Sequence, residues 1–449
     1  MKKNFLALIL VLCMVVALLA GCGEKSKSGE AVESAGTTEE TKSTEAEKEI
    51  TKEKTVLTFM AVGGSNEQAF VDVINAAADM FSKNNEFNAE IKLDWYENEQ
   101  YKTKLATLMT QNDVTDIFFT WEAGFMEDYV ESGNVYSLSD ALGADAEWSA
   151  RFNNGVFDAV TFDNKVYAVP MGQAIIPVYY NKALFKANGV EVPVTWEDLM
   201  AAVHTFTAAG IVPISMATQD AWVSGQMMQE IAGGIGGKEF YNDIVAGKAP
   251  WNDERYIEAG KAFQELVNAS AFPEGFLGLG YDEGRSIFTS GKAAMYPMGI
   301  WDTSAVLSGM ANKDDVGVFL LPTKKPEYKN VHIACIEKLF AISEKCKDKE
   351  AALAFLKLLS DPEIQKMYVL NCGAVPATNV EVDKSQIDAV TSDVLEMLKD
   401  IEPINPIARV FNVDLAGEFN NSALSIAAGT DPSEQLETLQ NYAEEIKGQ

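Results

Sequence analysis

RSIFTSGKAAMYPMGIWD, residues Arg285 to Asp302, holds a helix end, a buried strand and a sharp turn in one short run. Arg285 to Thr289 reads as the last turns of a helix, stopped at Gly291. Ala293-Ala294-Met295-Tyr296 is a brief apolar run between turn signals, the pattern of a buried strand. Pro297 has no N–H to give a sheet ladder, so the strand should end there. Met298-Gly299 and then Trp301-Asp302 follow on what should be an exposed loop. In α/β proteins the crevice beyond the carboxyl ends of strands is where ligands sit. In such a place Gly299 lets backbone approach a ligand, Trp301 offers a flat face and Asp302 offers acceptors. A core tryptophan on a tight turn has the same local sequence, so the rest of the chain has to decide.

Nearer the N-terminus, Val56 to Met60 predicts a strand, and Gly63-Gly64-Ser65 turns it into a helix with Phe70, Val73, Ile74 and Ala77 on one face. Ser65 with Gln68 has the spacing of a capping box. Free amides at that helix start make Gly64 and Ser65 candidate ligand contacts, with a plain strand-to-helix turn as the alternative. Ile91 to Leu93 gives a second strand, and Tyr101, Leu105, Leu108 and Met109 mark a helix face after it. A third strand, Asp116 to Phe119, leads into Thr120-Trp121-Glu122. This βαβαβ order implies a parallel sheet, whose strand ends bring Gly63–Ser65, Trp95–Tyr96 and Trp121–Glu122 to one edge. Farther along, Thr195 and Asp198 cap a helix, and the strand Ile211 to Ser215 leads to Trp222. Trp121, Trp222 and Trp301 therefore each follow a strand, while Trp196 and Trp251 sit at helix starts and read as structural. Ile404-Asn405-Pro406 and Arg409 are further candidates to border the same crevice.

Several chemistries find no signal. His204 and His332 have no spacing that suggests a shared metal, and no G-x-S-x-G elbow exists. Gly233 to Lys238 resembles a phosphate loop only until Glu239, which stands where Ser or Thr is required. No cofactor is implied. The formal charge of −30 argues against nucleic acid and acidic membrane surfaces as partners.

The N-terminus bears on location. Lys2-Lys3, an apolar run from Phe5 to Leu18 and then Leu19-Ala20-Gly21-Cys22 have the layout of a secretory signal. The Leu-Ala-Gly-Cys tetrad resembles the bacterial lipobox, which implies cleavage before Cys22 and lipid attachment to its sulfur. Two or three acyl chains, at about 0.8 kcal/mol per buried CH₂, hold a soluble domain at a bilayer. Residues 23–54 lack aromatic side chains and read as a flexible tether. Cys335, Cys346 and Cys372 remain, enough for one disulfide at most.

Phe288, Gly291 to Met295, Gly299 and Trp301 form F-x-x-G-K-A-A-M-x-x-x-G-x-W, which resembles the family 1 extracellular solute-binding proteins, the sugar-capturing subunits of ABC importers related to maltose-binding protein. Asp116-Ile117-Phe118 with Glu131-Ser132-Gly133, Lys165 to Pro170 with Tyr180-Asn181-Lys182, and Ala341 to Ser343 through Gly373 to Pro376 extend the likeness along the chain. The resemblance implies an α/β, two-lobe periplasmic-binding-protein-like fold of class II with three interlobe crossings. It divides the chain into a signal peptide (1–21), a tether from lipidated Cys22 (22–54), lobe 1 (55–172 plus about 336–376) and lobe 2 (173–335 plus about 377–449). Met171-Gly172-Gln173 would lie at the first crossing, with Gln173 facing the ligand. The expected function is that of a monomeric, non-enzymatic receptor at the extracytoplasmic face of the cell membrane. It closes on a carbohydrate and delivers it to permease subunits. Trp121, Trp222, Trp301 and Trp95 are the expected aromatic contacts, and Glu122, Gln173, Asp302 and Arg409 the polar ones. The alternatives are the same fold on a non-sugar solute, such as a phosphorylated polyol or a peptide, and a surface-anchored glycan-cleaving enzyme.

Overall fold

The computed structural model describes residues 54–64 and 67–447. The expected signal peptide, Cys22, nearly all of the expected tether and Ser65 lie outside the described residues. The described chain forms two main sheets, each with helices packed against it and each with its own apolar core, and one two-stranded hairpin.

The first sheet starts with β1 (Thr55–Val62), β2 (Ala89–Tyr96) and β3 (Ile117–Thr120). β1 lies parallel to both β2 and β3, the arrangement that the βαβαβ pattern predicts. A small hairpin, β4 (Thr161–Phe162) and β5 (Lys165–Val166), precedes β6 (Val169–Ile175). β6 joins the first sheet, while β7 (Val178–Asn181) opens the second. Pro177 falls between them, at the point where the chain changes sheets. Pro170 and Gly172 sit inside β6 and are buried. Gly172 is required there, because a Cβ would meet the Tyr368 hydroxyl at 2.8 Å and the Val375 carbonyl oxygen at 2.9 Å.

The second sheet runs β10-β7-β9-β8, with β8 (Val212–Ile214), β9 (Ala293–Pro297) and β10 (Val316–Phe319). The helix Tyr281–Thr289 ends before Gly291, whose φ of +74° makes the turn into β9. Every residue of β9 is buried, as its unbroken apolarity implies. The chain returns to the first sheet through β11 (Val331–Ile342), the longest strand. β11 runs antiparallel to β3 and β6, and its first residues pair with β13 (Glu402–Ile404). β12 (Val375–Pro376) also pairs with β6, and the helix Ala389–Met397 that follows packs against β10. The chain thus passes between the two halves after β6, after β10 and after β12, and β13 then comes back to pair with the first residues of β11.

Candidate functional site

A cavity of about 870 Å³ opens between the two sheets. Its walls include Trp121 from beyond β3, Trp222 at the start of the helix Trp222–Val245, Trp301 from beyond β9, and Arg409. These four of the expected residues are brought together. Trp121 is 9% exposed and lies in an aromatic cluster with Phe119 and Phe125 at centroid distances of 4.8 and 4.7 Å. On the opposite wall Trp222 stands 6.3 Å from Trp301 and 5.8 Å from Tyr281. The Trp301 indole N–H donates to the Tyr281 hydroxyl at 3.2 Å, fixing the plane of that ring. Trp222 opens a helix that is broken at Gly237, whose φ is +71°, and it is not on the loop that its position after β8 suggested.

Among the described residues, the other expected contacts do not border the cavity, each for a local reason. Trp95 turns its ring toward the helix Gln68–Lys83: a Cβ on Gly63 would meet it at 2.5 Å, and it packs edge-on to Phe59 and Phe70. Alternation along β2 sends it to that face. Gly64 is half-buried and its carbonyl accepts from the Glu67 N–H at 3.1 Å. Gln173 is held in the sheet, with its amide donating to the Pro376 carbonyl at 3.4 Å. Gly299 serves Trp301, since a Cβ there would lie 2.2 Å from the indole ring. Asp302 is fully buried in a 3-10 turn, not on an exposed loop. One of its oxygens accepts from Arg285 Nη1 at 2.7 Å and the other from the Tyr296 hydroxyl at 2.8 Å. Burial pushes its carboxyl upward and the Arg285 charge opposes that shift.

Glu122 is also fully buried. Both of its carboxylate oxygens accept from Arg409 Nη1 at 3.2 Å, and the same nitrogen reaches the Ile336 carbonyl at 3.3 Å. Burial raises the Glu122 carboxyl, with the Arg409 charge acting against it. Arg409 therefore borders the cavity while anchoring the C-terminal segment to the end of β3. Backbone contact reinforces the joint: a Cβ on Gly124 would stand 2.4 Å from the Val410 carbonyl oxygen.

The cavity also contains residues that the sequence did not single out. Lys338, in the middle of β11, donates to Glu67 Oε1 at 2.8 Å and lies 3.5 Å from Glu337 Oε1. Its φ of +53° is left-handed, a conformation that costs a non-glycine residue on the order of 1–3 kcal/mol. This kink lets consecutive residues Glu337, Lys338 and Leu339 all border the cavity, which regular alternation forbids. A usable signal was present: Glu337-Lys338 is a charged pair inside an otherwise apolar β run. Among the described residues, three buried polar atoms on the cavity walls have no partner: Glu67 Oε2, Trp222 Nε1 and Asn420 Oδ1. Native interiors leave few such atoms, and their gathering around one cavity is what a polar ligand would complete. No group of His, Cys, Asp and Glu able to hold a metal occurs among the described residues. Cys335, Cys346 and Cys372 are all free and buried.

The model of the bacterial extracellular solute-binding proteins matches residues 63–366. The chain belongs to that family. An uncharacterized ABC transporter extracellular-binding protein of Pyrococcus horikoshii is 26% identical over 289 residues, 62% of this chain and 64% of that protein. The chain thus spans just under two thirds of that relative's length. A multiple sugar-binding protein of Streptococcus mutans is 23% identical over 290 residues, 63% of this chain and 67% of that one. A solved structure from work on xylan utilization by Caldanaerobius polysaccharolyticus superposes with a TM-score of 0.80 at 28% identity, covering 86% of this chain and 99% of the other. The two-lobe fold of the periplasmic solute-binding proteins is therefore the fold of this chain.

Proposed function

We propose that this protein captures a carbohydrate between its two lobes and hands it to the permease subunits of an ABC importer. The observation that carries the reading is the cavity itself: indole rings on both walls, with partnerless buried polar atoms beside them. Sugar rings have apolar C–H faces and a rim of hydroxyls, so flat aromatic surfaces and scattered donors and acceptors match them. At about 870 Å³ the cavity lies near the top of the ~300–1,000 Å³ range of ligand pockets, which favours an oligosaccharide over a single ring. The names of relatives that bind sugars support the same reading.

Lobe 1 comprises 55–172 with about 336–376, and lobe 2 the remainder of the folded chain. A ligand touching both walls favours the closed arrangement, because only that arrangement makes both sets of contacts. Lipid on Cys22 holds the receptor at the extracytoplasmic face of the membrane, and the protein acts as a monomer without catalysis. Calorimetric titration with mono- and oligosaccharides tests the core of this proposal. One-to-one binding without product is expected; turnover of a glycan, or binding confined to peptides or phosphorylated solutes, refutes it. Membrane retention that survives Cys22→Ala refutes the anchor.

A further inference from the structure

Charge on the cavity walls is lopsided: seven carboxylate residues face three cationic ones. The most enclosed of them form one cluster, Glu67, Glu337 and Lys338, with side-chain exposures of 14%, 7% and 6%. Two carboxylates share a single ammonium. Lys338 borders the cavity, but its ammonium is engaged by Glu67 Oε1 and lies over the Phe70 ring at 4.6 Å. Glu67 Oε2 is left buried and without a partner among the described residues, an acceptor in need of a donor. Across the cavity, Trp222 Nε1 is a donor in need of an acceptor.

We propose, resting on the carbohydrate reading above, that this cluster makes the receptor selective against acidic sugars and that Glu67 and Glu337 are the specificity determinants. The group seated against Glu67 has to donate a hydrogen bond. A sugar hydroxyl or an ammonium does so; a carboxylate or phosphate only accepts. An anionic group there leaves Glu67 Oε2 unsatisfied and adds like charge in a site shielded from water, where repulsion is weakly screened. Rejection through a buried group left unpaired is the kind of discrimination that binding sites achieve most strongly. The left-handed backbone at Lys338 supports the assignment. A strained residue persists where the surrounding structure requires it, and here it brings Glu337 and Lys338 to the same surface.

The test uses a panel of neutral malto-, cello-, manno- and galacto-oligosaccharides beside their C6-oxidised uronate forms. Each neutral sugar that binds is titrated against its uronate counterpart. A preference of at least tenfold for the neutral form is expected, shrinking severalfold in Glu67→Gln or Glu337→Gln, whose amides can donate to an anion. Melting temperatures confirm that the variants are folded. Equal affinity for neutral and oxidised forms overturns the proposal while leaving the carbohydrate reading intact. A preference that survives both substitutions overturns the assignment to this cluster. Failure of every glycan to bind overturns the carbohydrate reading and this proposal with it.

Discussion

Replacing Arg409 with Met tests whether the C-terminal segment is tied to lobe 1 by a buried charge. Glu122 is 0% exposed and Arg409 16% exposed at the side chain, and the guanidinium meets both carboxylate oxygens. Removing one member of a buried pair costs about 3–5 kcal/mol, because the other is left as an uncompensated charge. The described residues, roughly 390 in number, unfold with an entropy of about 0.8 kcal/mol/K at about 2.1 cal/mol/K per residue. The expected fall in melting temperature is therefore about 4–6 °C. The loss should grow with pH. Without Arg409 the folded-state pKa of Glu122 stands above its unfolded value, and a carboxyl raised in this way loses stability as pH rises. Differential scanning calorimetry at pH 5 and pH 8 should show the larger deficit at pH 8. The double variant Glu122→Met/Arg409→Met should recover at least half of it, since two apolar side chains of similar volume leave no orphaned charge. A single variant within about 1 °C of the wild type, or a double variant as damaged as the single, would refute the reasoning.

Trp222→Ala should weaken the best glycan by about 1–3 kcal/mol, roughly 5- to 150-fold, if its ring is a stacking platform; titration calorimetry reads the change directly. Unchanged affinity in a folded variant removes Trp222 from the site. His332 is held between two acceptors, Glu230 Oε2 and the Lys329 carbonyl oxygen, each at 3.0 Å. Burial alone would lower its pKa, but these partners outweigh burial and raise it. The stability it contributes is fully present below about pH 6.5 and is lost as pH rises through the folded-state value. Melting temperatures from pH 6 to pH 9 should show that loss in the wild type and not in His332→Gln. Asp302→Asn removes the charge beneath Trp301 and should cost about 1.5–3 kcal/mol in urea unfolding, the scale of hydrogen bonds to a charged group. Arg285 keeps Asp282 at 2.6 Å, so a loss above about 5 kcal/mol would contradict this account.

Much of the fold was legible because it depends on periodicity and punctuation. The apolar run Ala293–Tyr296 is β9, the Thr195–Asp198 box caps its helix, and Pro362 begins a helix after Asp361. The site was legible in part, since strand ends indicate which residues reach the crevice but not which way each side chain turns. Trp95 ends a strand beside the crevice, yet alternation points it to the helical layer. Gln173 was placed by its position at the crossing, and sheet pairing holds it against β12. Lys338 escaped because its role depends on a left-handed residue within a strand, which no propensity predicts for lysine. Asn420 lies far along the chain on the helix Val413–Ala427, and it reaches the cavity because Gly225 leaves room: a Cβ there would stand 2.0 Å from Asn420 Oδ1.

The two walls are built by one local device. Each lobe ends a strand near a tryptophan followed directly by an acid, Trp121-Glu122 and Trp301-Asp302. In both the indole borders the cavity while the acid is fully buried. Each acid is held by an arginine from another segment, Arg409 for Glu122 and Arg285 for Asp302. In both turns the two neighbouring side chains diverge, the indole to the cavity and the acid into the protein. A carboxylate directed inward needs a cation, and a bidentate or doubly bonded carboxylate fixes the backbone on which the indole stands. The acids are therefore supports for the aromatic faces, and under the proposed function the polar recognition falls to groups such as Glu67 Oε2, Trp222 Nε1 and Asn420 Oδ1, which have no partner among the described residues.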